Sequence, residues 1–151
     1  MKENKSLAEE LFPIMENLAD SDRADSLIQI IAGYEDFPTS SVAISFAEEA
    51  ISIYKQNGLH PNDQKIMRAR YWLAQHLALD GNFTRASEEG LLVRNCLGAN
   101  NARDQYGDIE WHLVEWLARA GAHKKSVALA QILNDEMEEE KIREDHQLWN
   151  S

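Results

Sequence analysis

The chain is 151 residues long, 44% hydrophobic and 8% aromatic, with seven glycines, three prolines, one cysteine and a formal charge of −11. That length suits a single domain, 1–151, with a core of its own, and the scarcity of glycine and proline argues against an all-β fold and against disorder. The acidic balance argues against a binder of nucleic-acid backbones, and a lone cysteine excludes an internal disulfide and a thiolate zinc site.

Ser6 and Glu9 have capping-box spacing, and Leu7, Leu11, Met15 and Leu18 share one face, which predicts an N-terminal helix over 6–20 bent at Pro13. A second helix covers about 22–33, with Leu27, Ile28, Ile30 and Ile31 as its apolar segment. Phe37-Pro38-Thr39-Ser40 stops it and caps a third over 41–56, where Ala43, Phe46, Ala47, Ala50 and Tyr54 recur at helical period. Asn57-Gly58 ends that helix, and His60-Pro61-Asn62 opens a fourth over 63–80. Gly81-Asn82 is a tight break before a fifth over 84–97, and the stretch from Gly98 to Asn101 is a loop. A sixth helix is expected over 102–120 and, past Gly121, a seventh from 124 into the 140s. No run alternates with period two, so the expected class is all-α, about seven helices with short connections that make neighbours antiparallel.

Charge is uneven along the chain. Residues 1–60 carry 4 bases and 11 acids, 61–133 carry 9 and 8, and 134–151 carry 2 and 7. Each acidic end reads as a solvated helix face. Glu3, Glu9 and Glu10 interrupt what would be the apolar core of a signal peptide, and the nearly apolar run from Leu27 to Ala32 is far short of the ~20 residues a membrane span needs. The expectation is a cytoplasmic protein with no membrane contact.

The helices repeat. Aligning Gly81 with Gly121, an offset of 40, places Leu73 on Leu113, Leu77 on Leu117, Ala78 on Ala118 and Ala86 on Ser126. The stretch from Ala69 to Gly98, with the pair Leu73-Ala74, Leu77, the turn glycine Gly81, Phe83 two residues later and Ala86, resembles a tetratricopeptide repeat in a longer-helix variant of about 40 residues. The clearest copies are 63–98 and 102–140, with a looser one over 22–57. The second clear copy departs from the pattern at Val114, His123 and Ser126. Independently of the family, a small residue at position 74 lets a neighbouring helix approach, Gly81 supplies a turn, and Ala86 suits a close crossing. The resemblance implies antiparallel helix pairs stacked as a short superhelix, with the first helix of each pair lining a concave groove.

Catalytic and metal signatures are missing from the sequence. No glycines have G-x-G spacing, no Gly-Lys-Ser/Thr or G-x-S-x-G occurs, and no histidine pair is spaced for a helical zinc site. His112 and Glu115 share a helix face, but two ligands are too few. Cys96, beside Val93 and Leu97, reads as a buried, inert thiol. No catalytic residue, cofactor or metal is expected.

What remains is a surface. Arg68, Tyr71, Trp72, Gln75 and Leu79 occupy the face of the fourth helix turned from Ile66, Leu73 and Leu77, and Asp108, Trp111, His112, Glu115 and Arg119 occupy the corresponding face of the sixth. Aromatic and arginine side chains among polar ones have the composition of a protein-binding surface. The sequence leaves open whether Trp72 and Trp111 are exposed there or covered by the terminal helices. Gln75 and Glu115 stand where the carboxylate-clamping members of the resembled family would have asparagines, so the expected ligand is an internal segment or a folded partner. The expected function is a non-catalytic protein–protein interaction module, a scaffold, adaptor or regulatory subunit. The alternative is a dedicated secretion-type chaperone for one client, and a helical enzyme or metal protein is a distant third.

Overall fold

A computed structural model describes residues 19–33 and 40–150. Seven helices occupy the described residues, with no strand: α1 (Asp20–Gly33), α2 (Ser40–Gln56), α3 (Gln64–Leu79), α4 (Phe83–Leu97), α5 (Arg103–Tyr106), α6 (Ile109–Arg119) and α7 (His123–Trp149). The expected helix over 6–20 lies outside the described residues except for its last two positions, which lead into the first turn of α1. Among the described residues no helix is long and apolar enough to cross a membrane.

The helices form antiparallel pairs stacked in chain order. α2 packs on both α1 and α3, α4 on both α3 and α6, and α6 on α7, while α1 also touches α3. Local chemistry sets the ends of these elements. Asp63 caps α3 by accepting from the Lys65 amide at 2.9 Å, and Asn82 caps α4 by accepting from the Arg85 amide at 3.2 Å.

The 40-residue register is visible in the backbone. Gly81 and Gly121 adopt φ of +82° and +85°, a left-handed turn conformation that β-carbon-bearing residues adopt only at a cost. Each closes the same motif: Gly81 donates to the Ala78 carbonyl and Asn82 to Leu77, at 3.0 and 2.9 Å; Gly121 donates to Ala118 and Ala122 to Leu117, at 3.1 and 2.8 Å. The departure at Ser126 has a physical reason. Its hydroxyl donates to the Val114 carbonyl at 2.6 Å, so a small hydroxylated residue serves at a crossing where the first copy places Ala74 and Ala86, both fully buried.

The core runs through the stack: Leu27, Ile28 and Ile31 from α1, Ile66, Met67, Leu73 and Leu77 from α3, Val93 and Leu97 from α4, Ile109 and Leu113 from α6. Arg70 of α3 and Glu89 of α4 form a largely buried ion pair at 2.7 Å inside one helix pair. Glu110 of α6, also buried, lies 3.5 Å from Arg94 of α4 and 3.2 Å from Arg103 of α5. Both carboxylates thus have cationic partners, as burial of a charge requires.

One expectation needs correction. The helix expected over 102–120 is two helices, α5 and α6, broken at Gly107. Glycine is a weak helix former, and a Cβ at 107 would collide with the Arg103 carbonyl oxygen, so the break as it stands fits no other residue. The break sets the Tyr106 ring 4.9 Å from that of Tyr71 and brings the Asp108 carboxylate within 3.0 Å of the Tyr71 hydroxyl.

The helix expected from 124 into the 140s is α7, His123–Trp149. It has 27 residues against 11 in its partner α6, and every residue from Asn134 to Asn150 is exposed. Deleting residues 138–151 is therefore expected to leave the cooperative unfolding transition in place, with stability changed by no more than about 0.5 kcal/mol. Loss of cooperativity in a urea titration would show instead that the tail packs across the stack.

Candidate partner-binding groove

The first helices of the three pairs, α1, α3 and α6, share a cleft made of two adjoining cavities. The first, about 370 Å³, has Ile31 and Ala32 of α1 on one side, Tyr71, Trp72 and His76 of α3 on its floor, and Asp108, just before α6, and His112 of α6 opposite. The second, about 310 Å³, lies between Ala78 of α3, Phe83 of α4, and Glu115, Trp116 and Arg119 of α6. Gln75 and Leu79 line both, so the cleft is continuous along α3.

Its aromatic residues hold one another in place. Trp72 meets Tyr71 edge-on at 5.1 Å, and His112 stacks on Trp116 at 5.6 Å. The Tyr71 hydroxyl donates to both Asp108 oxygens, at 3.0 and 2.9 Å. Burial first, and then that carboxylate, push the Tyr71 phenol above its ordinary pKa, so it remains a protonated donor at neutral pH. Burial also holds the His76 imidazole below its ordinary range. The indole N–H of Trp72 is buried and has no acceptor among the described residues.

Charges of both signs form the rim. Arg119 donates to Glu115 at 3.0 Å and its guanidinium lies 5.2 Å from the centre of the Phe83 ring. His112 Nε2 is 3.5 Å from Asp108. Leu79, 74% exposed, stands at the shared edge of the two cavities.

Of the residues expected on this surface, Tyr71, Trp72, Gln75, Leu79, Asp108, His112, Glu115 and Arg119 line the cleft. Tyr71 does so from a buried position, because α5 and Asp108 cover it. Arg68 and Trp111 do not line it. Arg68 is half-buried and close enough to Asp25 and Tyr54 to favour their ionised forms, in a polar cluster where Tyr54 donates to Asp25 at 2.5 Å and Lys65 at 3.1 Å. Trp111, 45% exposed, is turned about 70° around the helix axis from the row of Asp108, His112, Glu115 and Arg119.

Sequence reasoning missed six cleft residues: Ile31, Ala32, His76, Ala78, Phe83 and Trp116. Nothing local announces that α1 contributes a wall. The signal for Trp116 was available: with Ile109, Leu113 and Leu117 it completes the i, i+4, i+7, i+8 pattern of a core-facing helix stripe, and it is buried.

Cys96 is buried, its thiol donating to Asn62 at 3.3 Å, and burial pushes its pKa up. No group of three or more histidine, cysteine or carboxylate side chains among the described residues could hold a metal ion. No family model matches the chain, and no curated protein or solved structure matches it either.

Proposed function

We propose that the protein is a non-catalytic interaction module that holds a segment of a partner protein in the cleft across α1, α3 and α6. The observation that carries this reading is the continuity of the cleft along α3, with an aromatic floor and a rim of mixed charge. Such a combination of aromatic anchor and polar surround is typical of binding hot spots. The groove carboxylates support a binding role over acid–base chemistry, because Asp108 already accepts from Tyr71 and Glu115 from Arg119. The tetratricopeptide-like pattern from Ala69 to Gly98 agrees with a groove on first helices. The fitting occupant is an amphipathic segment with at least one large apolar side chain. A cytoplasmic site of action belongs to the same reading, supported by the single, buried cysteine.

The test is co-purification from the native host with quantified retention of the partner. Leu79→Glu places a charge at the edge of both cavities without disturbing the core, since Leu79 is exposed. This variant and Trp72→Ala should each weaken the complex about thirtyfold or more, equivalent to about 2 kcal/mol. Trp111→Ala should retain the partner as the parent does. Equal retention by Leu79→Glu and the parent would place the interface elsewhere. The partner's nature then separates an adaptor, which brings down a resident complex, from a chaperone, which brings down one secreted client.

A further inference from the structure

The second helices of the first two pairs are covered on two sides: α2 by α1 and α3, α4 by α3 and α6. α7, second in the last pair, makes its extensive contact with α6 alone among the described residues. The 40-residue register identifies the face this leaves open. Glu89 of α4 reaches back to Arg70 of its own pair, and its counterpart Leu129 is buried in α7 beside Ser126, which reaches back to Val114. The face of α4 that meets α6 carries Gly90, against Leu113 and Trp116, and Arg94, against Glu110, with buried Ser87 and Leu97 in the adjoining turns. Forty residues on, these positions are Ala130, Asn134, Val127 and Met137. Val127 is 69% exposed and Met137 57%, where Ser87 and Leu97 are 4% and 0%.

We infer that the strip Val127, Ala130, Asn134 and Met137 seats a basic amphipathic helix of a partner protein, lying against α7 as α6 lies against α4. The 3-4-3 spacing of these residues is the spacing by which one helix presents a seam to another. A shallow hollow of about 390 Å³ already lies over Asn134, Met137, Glu138 and Lys141. Charge selects the occupant. Residues 134–150 carry seven acids and two bases, all exposed, and Asp135 and Glu138 flank the strip. The cation that α4 offers α6, Arg94, is replaced by Asn134, so an acidic helix like α6 itself has no counter-charge here. A second copy lying parallel would bring like charges together across the same seam. The strip shares no residue with the cleft, so the two surfaces can be tested separately.

The test uses the full chain and two fluorescent synthetic peptides. One has the sequence of residues 103–121; the other has the same sequence with Asp108→Lys, Glu110→Lys and Glu115→Lys, which keeps the apolar face and reverses the charge. Fluorescence anisotropy should show the basic peptide binding at least tenfold tighter than the acidic one, with the difference shrinking as salt is added. The double variant Val127→Asp, Met137→Asp should lose at least tenfold of that affinity at an unchanged unfolding midpoint, because both side chains are exposed. Absence of saturable binding, equal affinity for the two peptides, or binding that survives the double variant would overturn the inference. So would sedimentation showing a dimer of the parent that the double variant abolishes, because the strip would then belong to a second copy.

Discussion

Replacing Gly90 with leucine is expected to destabilise the protein by about 3 kcal/mol, read as a lower denaturant midpoint. In the middle of α4 a glycine costs about 1 kcal/mol of helix stability relative to alanine, so with free space any side chain there would stabilise. The space is occupied. A Cβ on Gly90 would stand 2.7 Å from Leu113 Cδ2, 3.1 Å from Leu113 Cγ and 3.3 Å from Trp116 Cζ3. Leu113 is fully buried and Trp116 is 4% exposed, so neither can swing into solvent to make room. Leucine must therefore push α4 and α6 apart, and that contact joins the second pair to the third. Alanine at 90 should fall between, its helix gain offset by the contact with Leu113. Gly98→Ala is the control: φ there is −65° and nothing lies within 4 Å of the added carbon, so stability should hold or rise slightly. Equal midpoints for Gly90→Leu and the parent would mean that the helices meet less closely than these distances require.

What could be read from the residues divides by how local its cause is. Gly81 and Gly121 announce their turns because the positive φ is a property of the glycine itself, and the residues at fixed offsets from them then share a register. The cleft was legible where helical spacing suffices: Asp108, His112, Glu115 and Arg119 fall on one face of any helix that contains them. It was illegible where a neighbour decides. That Tyr106 and Asp108, on either side of the break at Gly107, both engage Tyr71, a residue more than thirty positions earlier, is carried by no local pattern. For the same reason Tyr71 looked like a surface aromatic and is buried. The wall supplied by Ile31 and Ala32 depends on how the first pair leans on α3, which composition and period do not determine.

Two tryptophans five residues apart in α6 should behave in opposite ways. Trp116→Ala is expected to cost about 3–5 kcal/mol, the range for removing a large aromatic from a packed interior. Its indole is 4% exposed, lies against Gly90 of α4 and stacks on His112 at 5.6 Å, so truncation leaves a void where α4 and α6 join. Trp111→Ala should cost less than about 1 kcal/mol, because nearly half of its surface is already in water and it lies off the core stripe. Urea titration of both variants checks the ranking, and acrylamide quenching checks its cause: the parent should show a shielded tryptophan component that Trp116→Ala reduces, leaving the share from half-buried Trp72, and that Trp111→Ala keeps whole. A reversed ranking would mean that Trp111 is covered and that α6 is rotated from the orientation that builds the groove. The ranking also governs how binding data are read. Trp116→Ala would remove the ring beneath His112 and part of the second cavity together with the helix contact, so partner loss in that variant reports a damaged fold. Leu79→Glu, at an exposed position between the two cavities, reports the surface alone.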